Sequence, residues 1–100
     1  MSHDTFSATG CAETAAAARY LGQLSRHFAH KIAVNYRPDA APPEAVAQFP
    51  LGTCHMRAEA GELTVAVNAS SQEGLERIRH VVDSHLERFA WREKLILRWS

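Results

Sequence analysis

The sequence has no excess of charge of either sign and no long apolar run. Its 11 Lys and Arg residues balance 11 Asp and Glu residues, so the formal net charge is zero at pH 7 with the histidines neutral. Proteins that bind nucleic acid usually carry a basic excess against the phosphates, and this balance argues against that class. No apolar segment approaches the roughly 20 residues that cross a bilayer, which argues against a membrane protein.

Cysteine is scarce, and the glycines are isolated. The start of the chain lacks the basic and apolar segments of a secretory signal, so we expect a cytoplasmic protein in which Cys11 and Cys54 are free thiols. The five glycines form no phosphate-binding loop. The spacing of Cys and His matches no closed zinc motif. Acidic residues are dispersed, so spacing assigns no carboxylate pair to acid–base catalysis.

Two segments have the apolar periodicity of amphipathic helices, in a chain whose 100 residues predict a single domain over 1–100. The first helix is expected over 14–29, with Thr14 as its N-cap. The second is expected to start at Ser70 or Ser71 and to end at Phe89. The apolar stripes are Ala17, Leu21, Leu24 and Phe28 in the first helix, and Leu75, Ile78, Val82, Leu86 and Phe89 in the second.

Alternating apolar and polar residues predict strands in the rest of the chain. The predicted strands are 7–12, 32–37, 63–68 and 94–99. Over 45–60 the apolar positions change from odd to even at Gly52-Thr53, which predicts one strand with a β-bulge there; two separate strands are the alternative. The order β-α-β-β-β-α-β predicts an α+β two-layer sandwich, with two helices on one face of a largely antiparallel sheet.

Histidines occur near the predicted ends of both helices, beside large apolar residues. They are His27 and His30 in the first helix and His85 in the second. Imidazole titrates near neutral pH and is a common metal ligand. Helices that lie side by side would bring these groups to one pocket, where they could hold iron, zinc or haem. The alternative is that each histidine is a core residue that bonds a backbone carbonyl or packs beside a phenylalanine.

Cys54 is a further candidate for this pocket. It could also act as a thiol nucleophile, with His27 or His85 as its base. However, no Gly-rich nucleophile turn accompanies it, and no third residue that would orient the base can be identified. A buried cysteine on a strand is more often a small inert apolar residue. The sequence therefore assigns no catalytic residue.

Four blocks of the sequence resemble the bacterial domain-of-unknown-function 2218 family, and the resemblance runs from about residue 10 to the C-terminus. The blocks are 18–24 (ARYLGQL), 27–31 (HFAHK), 49–54 (FPLGTC) and 84–90 (SHLERFA). The resemblance implies no established activity. It implies a small protein, or a domain appended to siderophore-interacting flavin reductases, and hence a context of iron handling. The candidate ligand-binding residues inside the blocks are His27, His30, Lys31, Cys54, His85 and Arg88.

Two functional classes follow from these patterns. The first is a small binding module in iron metabolism, with a His/Cys pocket at the helix ends. The second is a non-catalytic structural or interaction module. Its open sheet face would form a homodimer or dock on a partner such as a siderophore-interacting reductase. That face is expected to carry Asn35, His55, Arg57, Thr64 and Arg98.

Overall fold

The computed structural model describes residues 5–100; residues 1–4 of the predicted domain 1–100 lie outside the described part. The elements are β1 (Phe6–Glu13), α1 (Ala17–Phe28), β2 (Ala33–Arg37), β3 (Glu44–Phe49), β4 (Gly52–Glu59), β5 (Glu62–Ala69), α2 (Gln72–Phe89) and β6 (Arg98–Trp99). The strands form one sheet in the order β2-β3-β4-β5-β1-β6, and each neighbouring pair is antiparallel. Both helices pack on this sheet. The predicted α+β sandwich is confirmed.

The stretch from 44 to 59 forms two strands rather than one bulged strand. Its strands pair in a hairpin whose turn is Pro50-Leu51, with Phe49 opposite Gly52. In a two-residue hairpin, paired positions differ in parity, so the change from odd to even apolar positions follows from the turn itself. The β-bulge interpretation was therefore wrong, and the alternative of two strands holds. Only glycine fits at Gly52, because an added Cβ would lie 2.1 Å from the carbonyl oxygen of Asn68.

The core lies between the helices and the inner face of the sheet. Small residues on the inner faces of β1 and β3 let the helices approach closely, and the larger side chains come from the other elements. The largest fully buried side chains include Leu21, Leu24, Met56, Leu63, Ile78 and Leu86. Both predicted apolar stripes are thus buried, apart from the half-buried Phe89.

The helix starts and the last strand differ in detail from the predictions. Thr14 does bind a backbone group, since its Oγ1 accepts from the Ala16 N–H at 3.1 Å, but α1 begins only at Ala17. Ser71, the second of the two predicted caps, accepts from the Gly74 N–H at 2.9 Å. The strand predicted over 94–99 shrinks to two residues, because a turn follows α2 and ends at Lys94 with φ of 55°.

The open face of the sheet is polar, and the residues predicted there occupy it. Most of its charged side chains pair with one another. The ion pairs are Arg37–Glu44 at 3.3 Å, Arg57–Glu59 at 4.0 Å and Arg98–Glu13 at 3.6 Å, and His55 Nε2 lies 3.1 Å from a Glu44 carboxylate oxygen. No helix between residues 5 and 100 has the length and apolar character needed to cross a membrane.

Candidate functional site at the C-terminal end of α1

The two helices bring His27 and His85 into contact. Tyr20 near the start of α1 bonds Glu93 beyond the end of α2, whereas His27 in the last turn of α1 meets residues further back in α2. The helices are therefore antiparallel, and the end of α1 lies against the last third of α2. The ring centroids of His27 and His85 are 4.4 Å apart, and their planes are inclined by 52°. The predicted meeting of these two imidazoles is confirmed.

Phenylalanine rings surround the two imidazoles. Phe28 lies 5.3 Å from His85 in an edge-to-face arrangement, and Phe89 lies 5.8 Å from His27 in the same geometry. Strand β3 contributes Phe49, whose ring is 5.4 Å from that of Phe28. Edge-to-face contacts of this kind add to the stabilisation from burial. Aromatic rings thus pack against both imidazoles.

A cavity of about 300 Å³ opens beside these rings. It is lined by His27, Phe28, Lys31, Ile32, Phe49, Val81 and His85 and is called the helix-end cavity below. The turn after α1 places two of its walls, because the N–H groups of Lys31 and Ile32 both donate to the Phe28 carbonyl at 3.0 Å. Three of the four blocks that carry the family resemblance therefore meet at this cavity.

A hydrogen bond fixes the tautomer of His85, and burial shifts the pKa of His27. His85 Nδ1 lies 2.7 Å from the Val81 carbonyl oxygen. A carbonyl only accepts, so Nδ1 carries the proton and Nε2 of the neutral ring has a free lone pair. Burial lowers the pKa of His27 below its usual 6.5, and nearby His85, His30, Arg88 and Lys31 lower it further. Neutral His27 is therefore favoured near pH 7.

Comparisons with known proteins place the chain among bacterial proteins. A family described as "Uncharacterized protein conserved in bacteria (DUF2218)" matches residues 9–100. The chain belongs to this family. Among solved structures, it is similar to the NMR structure of PA4090 from Pseudomonas aeruginosa, with a TM-score of 0.77, 28% identity and coverage of 95% of each chain. No curated protein matches it.

Among the candidates from this DUF2218 sequence, Lys31 lines the cavity beside the imidazoles, whereas three others do not. His30 is exposed in the turn after α1, and Arg88 is exposed on α2. Cys54 is fully buried on β4, between Ala47 of β3 and Val67 of β5. Burial raises the pKa of the Cys54 thiol to about 12, so it stays protonated at neutral pH. Its environment is that of a packing residue.

The predicted metal ligands do not gather into a complete set. No group of three or more His, Cys, Asp or Glu side chains among residues 5–100 is placed to hold a metal ion. His27 and His85 adjoin one another, but they provide two donors where a protein zinc site generally has three or four. A resident metal held by His27, His30 and His85 therefore does not fit this arrangement.

Three residues that line the cavity carry only a packing signal in the sequence. Ile32 lies in the strand predicted over 32–37, Val81 in the second predicted helix, and Phe49 in the alternating stretch 45–60. The one signal for Phe49 is its place in the block 49–54 (FPLGTC), which carries the family resemblance together with the two histidine blocks. A second depression, of about 360 Å³, lies at the β3–β4 turn. It differs from the helix-end cavity because no titratable side chain lines it.

Proposed function

We propose that this chain is a small binding module whose ligand enters the helix-end cavity. The observation that carries the proposal is the cavity itself, of about 300 Å³, beside two imidazoles that come from different helices. Small-molecule sites are typically apolar clefts of about 300–1,000 Å³ with a few polar groups that converge on them. The walls formed by Phe28, Phe49 and Val81 are apolar, and the polar groups are two imidazoles and one ammonium. A ligand of one or two rings matches this volume.

The alternative for His27 and His85 is a purely packing role. The bond from His85 Nδ1 to the Val81 carbonyl oxygen at 2.7 Å and the edge-to-face contacts with Phe28 and Phe89 fit that role. The packing role leaves unexplained the opening of about 300 Å³ beside the same rings, where Lys31 joins the apolar walls.

The open sheet face gives less support to the second functional class, a non-catalytic structural or interaction module, than the cavity gives to a binding module. Most of its charged residues pair with one another. The large apolar side chains found exposed among residues 5–100 are Leu51, Trp91 and Ile96, and none of them belongs to a strand. The proposal assigns no catalytic residue. A role in iron or siderophore metabolism stays a prediction of the family resemblance.

Neutral aromatic probes test the proposal. Benzyl alcohol and 2-naphthamide are titrated into ¹⁵N-labelled protein, and backbone amide shifts are followed. We expect saturable changes at Phe28, Ile32, Phe49 and Val81, with dissociation constants of about 1 mM or below for ligands of this size. Val81→Phe fills the cavity and should abolish the changes. Val46→Phe, on the opposite face of the sheet, is the matched control and should leave them intact.

Shifts that spread over the surface without saturating, or that persist in Val81→Phe, would refute a ligand site at the helix-end cavity. Zinc is a separate arm of the same titration. Amide shifts at His27 and His85 that saturate at micromolar zinc would show that two imidazoles suffice for a metal, and the ligand class would then have to be revised.

A further inference from the structure

The charges around the helix-end cavity are unbalanced. Lys31 contributes an ammonium group to its lining, and none of the described residues that line it is acidic. Arg88 lies close enough to lower the pKa of His27, as Lys31 does. The chain as a whole has no net charge, so this local excess of positive charge is a property of the site.

Lys31 forms no ion pair, and in this it resembles most of the Lys and Arg side chains of residues 5–100. The ion pairs there join Arg37, Arg57 and Arg98 to carboxylates on the open sheet face, where the His55 ring also lies against Glu44. None of them involves Lys31, Arg88 or the cavity histidines. Positive charge near a low-dielectric cavity, with no carboxylate to balance it, attracts an anion from solution.

The helix dipole opposes this attraction but is the smaller effect. The C-terminal end of α1 carries the equivalent of roughly half a negative charge. Lys31 carries a full positive charge on the cavity wall, and Arg88 of α2 lies near enough to His27 to lower its pKa. The net local field therefore still favours an anion.

We propose that the ligand of the helix-end cavity is an organic carboxylate with an apolar body, which deepens the proposed function and rests on it. The apolar body lies against Phe28, Phe49 and Val81. The carboxylate lies at the Lys31 side, where it faces the imidazoles of His27 and His85. Binding transfers a proton from solvent to His27, because an adjacent anion stabilises imidazolium.

Paired probes of the same shape test this ligand class. 2-Naphthoate and 2-naphthamide are compared by amide shifts at about pH 6 and about pH 8. We expect the acid to bind at least about fivefold more tightly than the amide at the lower pH, and the difference to narrow at the higher pH. Lys31→Gln should weaken naphthoate binding about two- to fivefold and leave naphthamide unchanged. Lys94→Gln, the only other lysine of the chain, should change neither.

Calorimetry gives a second readout. At neutral pH, naphthoate is titrated in two buffers of different ionisation enthalpy, which reports the protons taken up on binding. Uptake in the wild type and its loss in His27→Phe, checked for folding by its amide dispersion, support the proposal. Equal affinity for acid and amide would overturn the carboxylate assignment while the cavity remains a site. Failure of both probes would overturn the proposed function as well.

Discussion

The two ends of α1 contact α2 and the turn after it through different side-chain chemistry. Tyr20 and His27 lie seven residues apart, so they share one face of the helix, and both contact α2 or the turn after it. At the Tyr20 end, the phenol and the Thr14 hydroxyl both donate to the Glu93 carboxylate, the latter at 3.1 and 3.3 Å. At the His27 end, two imidazoles meet each other beside a cavity.

The difference separates a structural polar cluster from a candidate site. Glu93 accepts from two hydroxyl groups whose residues are buried, so donors and acceptor match. Buried polar groups satisfied in this way hold elements together. His27 and His85 are both imidazoles, so neither can act as an opposite charge for the other. The Tyr20 end is thus a satisfied hydrogen-bonded cluster, whereas the His27 end has two imidazoles beside an open cavity.

The largest loss of stability is expected for a substitution between the two ends of α1. Leu24 is fully buried in α1, between Tyr20 and His27, and holds both ends against the core. Leu24→Ala should lower the free energy of unfolding by about 2–5 kcal/mol, because it removes buried methyl groups and leaves a cavity. Urea unfolding measures this loss. Near-wild-type stability would mean that the buried face of α1 is misassigned.

The second-largest loss of stability is expected at the Tyr20 end of α1. Glu93→Ala leaves the hydroxyl groups of Thr14 and Tyr20 without their acceptor, and we expect a loss of about 1–3 kcal/mol in unfolding free energy. Glu87→Ala, an exposed carboxylate on α2, is the control and should stay within about 0.5 kcal/mol of wild type. Equal losses in the two variants would show that the bonds to Glu93 do not stabilise the Tyr20 end, and the contrast between the two ends of α1 would not hold.

Sequence patterns predicted the parts of this comparison that depend on periodicity. The stripe through Leu21, Leu24 and Phe28 fixed the buried face of α1 and thus the side on which His27 lies. The sequence does not decide the hairpin turn, because Pro50-Leu51 is not one of the Gly- or Asn-containing pairs that mark two-residue hairpins. The sequence could indicate a bulge or a turn there, and only the register decided between them.

Other features lay beyond sequence reasoning for physical reasons. The bond between Tyr20 and Glu93 joins residues 73 positions apart, and no local pattern specifies such a pair. The left-handed conformation of Lys94, which shortens β6, is uncommon for a residue with a side chain. The helix-end cavity depends on how Ile32, Phe49 and Val81 fill space together. Periodicity shows that such residues are buried and does not show where packing stays incomplete.

Opposite pH dependences should distinguish the two ends. Bonding to Glu93 first, and burial second, raise the pKa of Tyr20 above 10.0, so its contribution to stability is present below pH 10.0 and is lost as pH rises through the raised value. Burial first lowers the pKa of His27 below 6.5, so its contribution is present above 6.5 and is lost as pH falls through the lowered value.

Melting temperatures measured from about pH 5 to about pH 11 test this contrast. Tyr20→Phe should flatten the alkaline limb of the profile and leave the acid limb unchanged. His27→Phe should flatten the acid limb and leave the alkaline limb unchanged. Either variant acting on the other limb would contradict the assignment of the two pKa shifts.

The smallest effect is expected at an imidazole that does have a charge partner. His55 lies on the open sheet face with 40% of its side chain exposed, and its Nε2 is 3.1 Å from a Glu44 carboxylate oxygen. His55→Ala should lower the free energy of unfolding by less than about 0.5 kcal/mol at pH 7, because exposed pairs contribute little and Glu44 keeps its bond to Arg37. Urea unfolding in low and high salt measures it. A loss above about 1 kcal/mol would show that the open face stabilises the fold more than its exposure indicates.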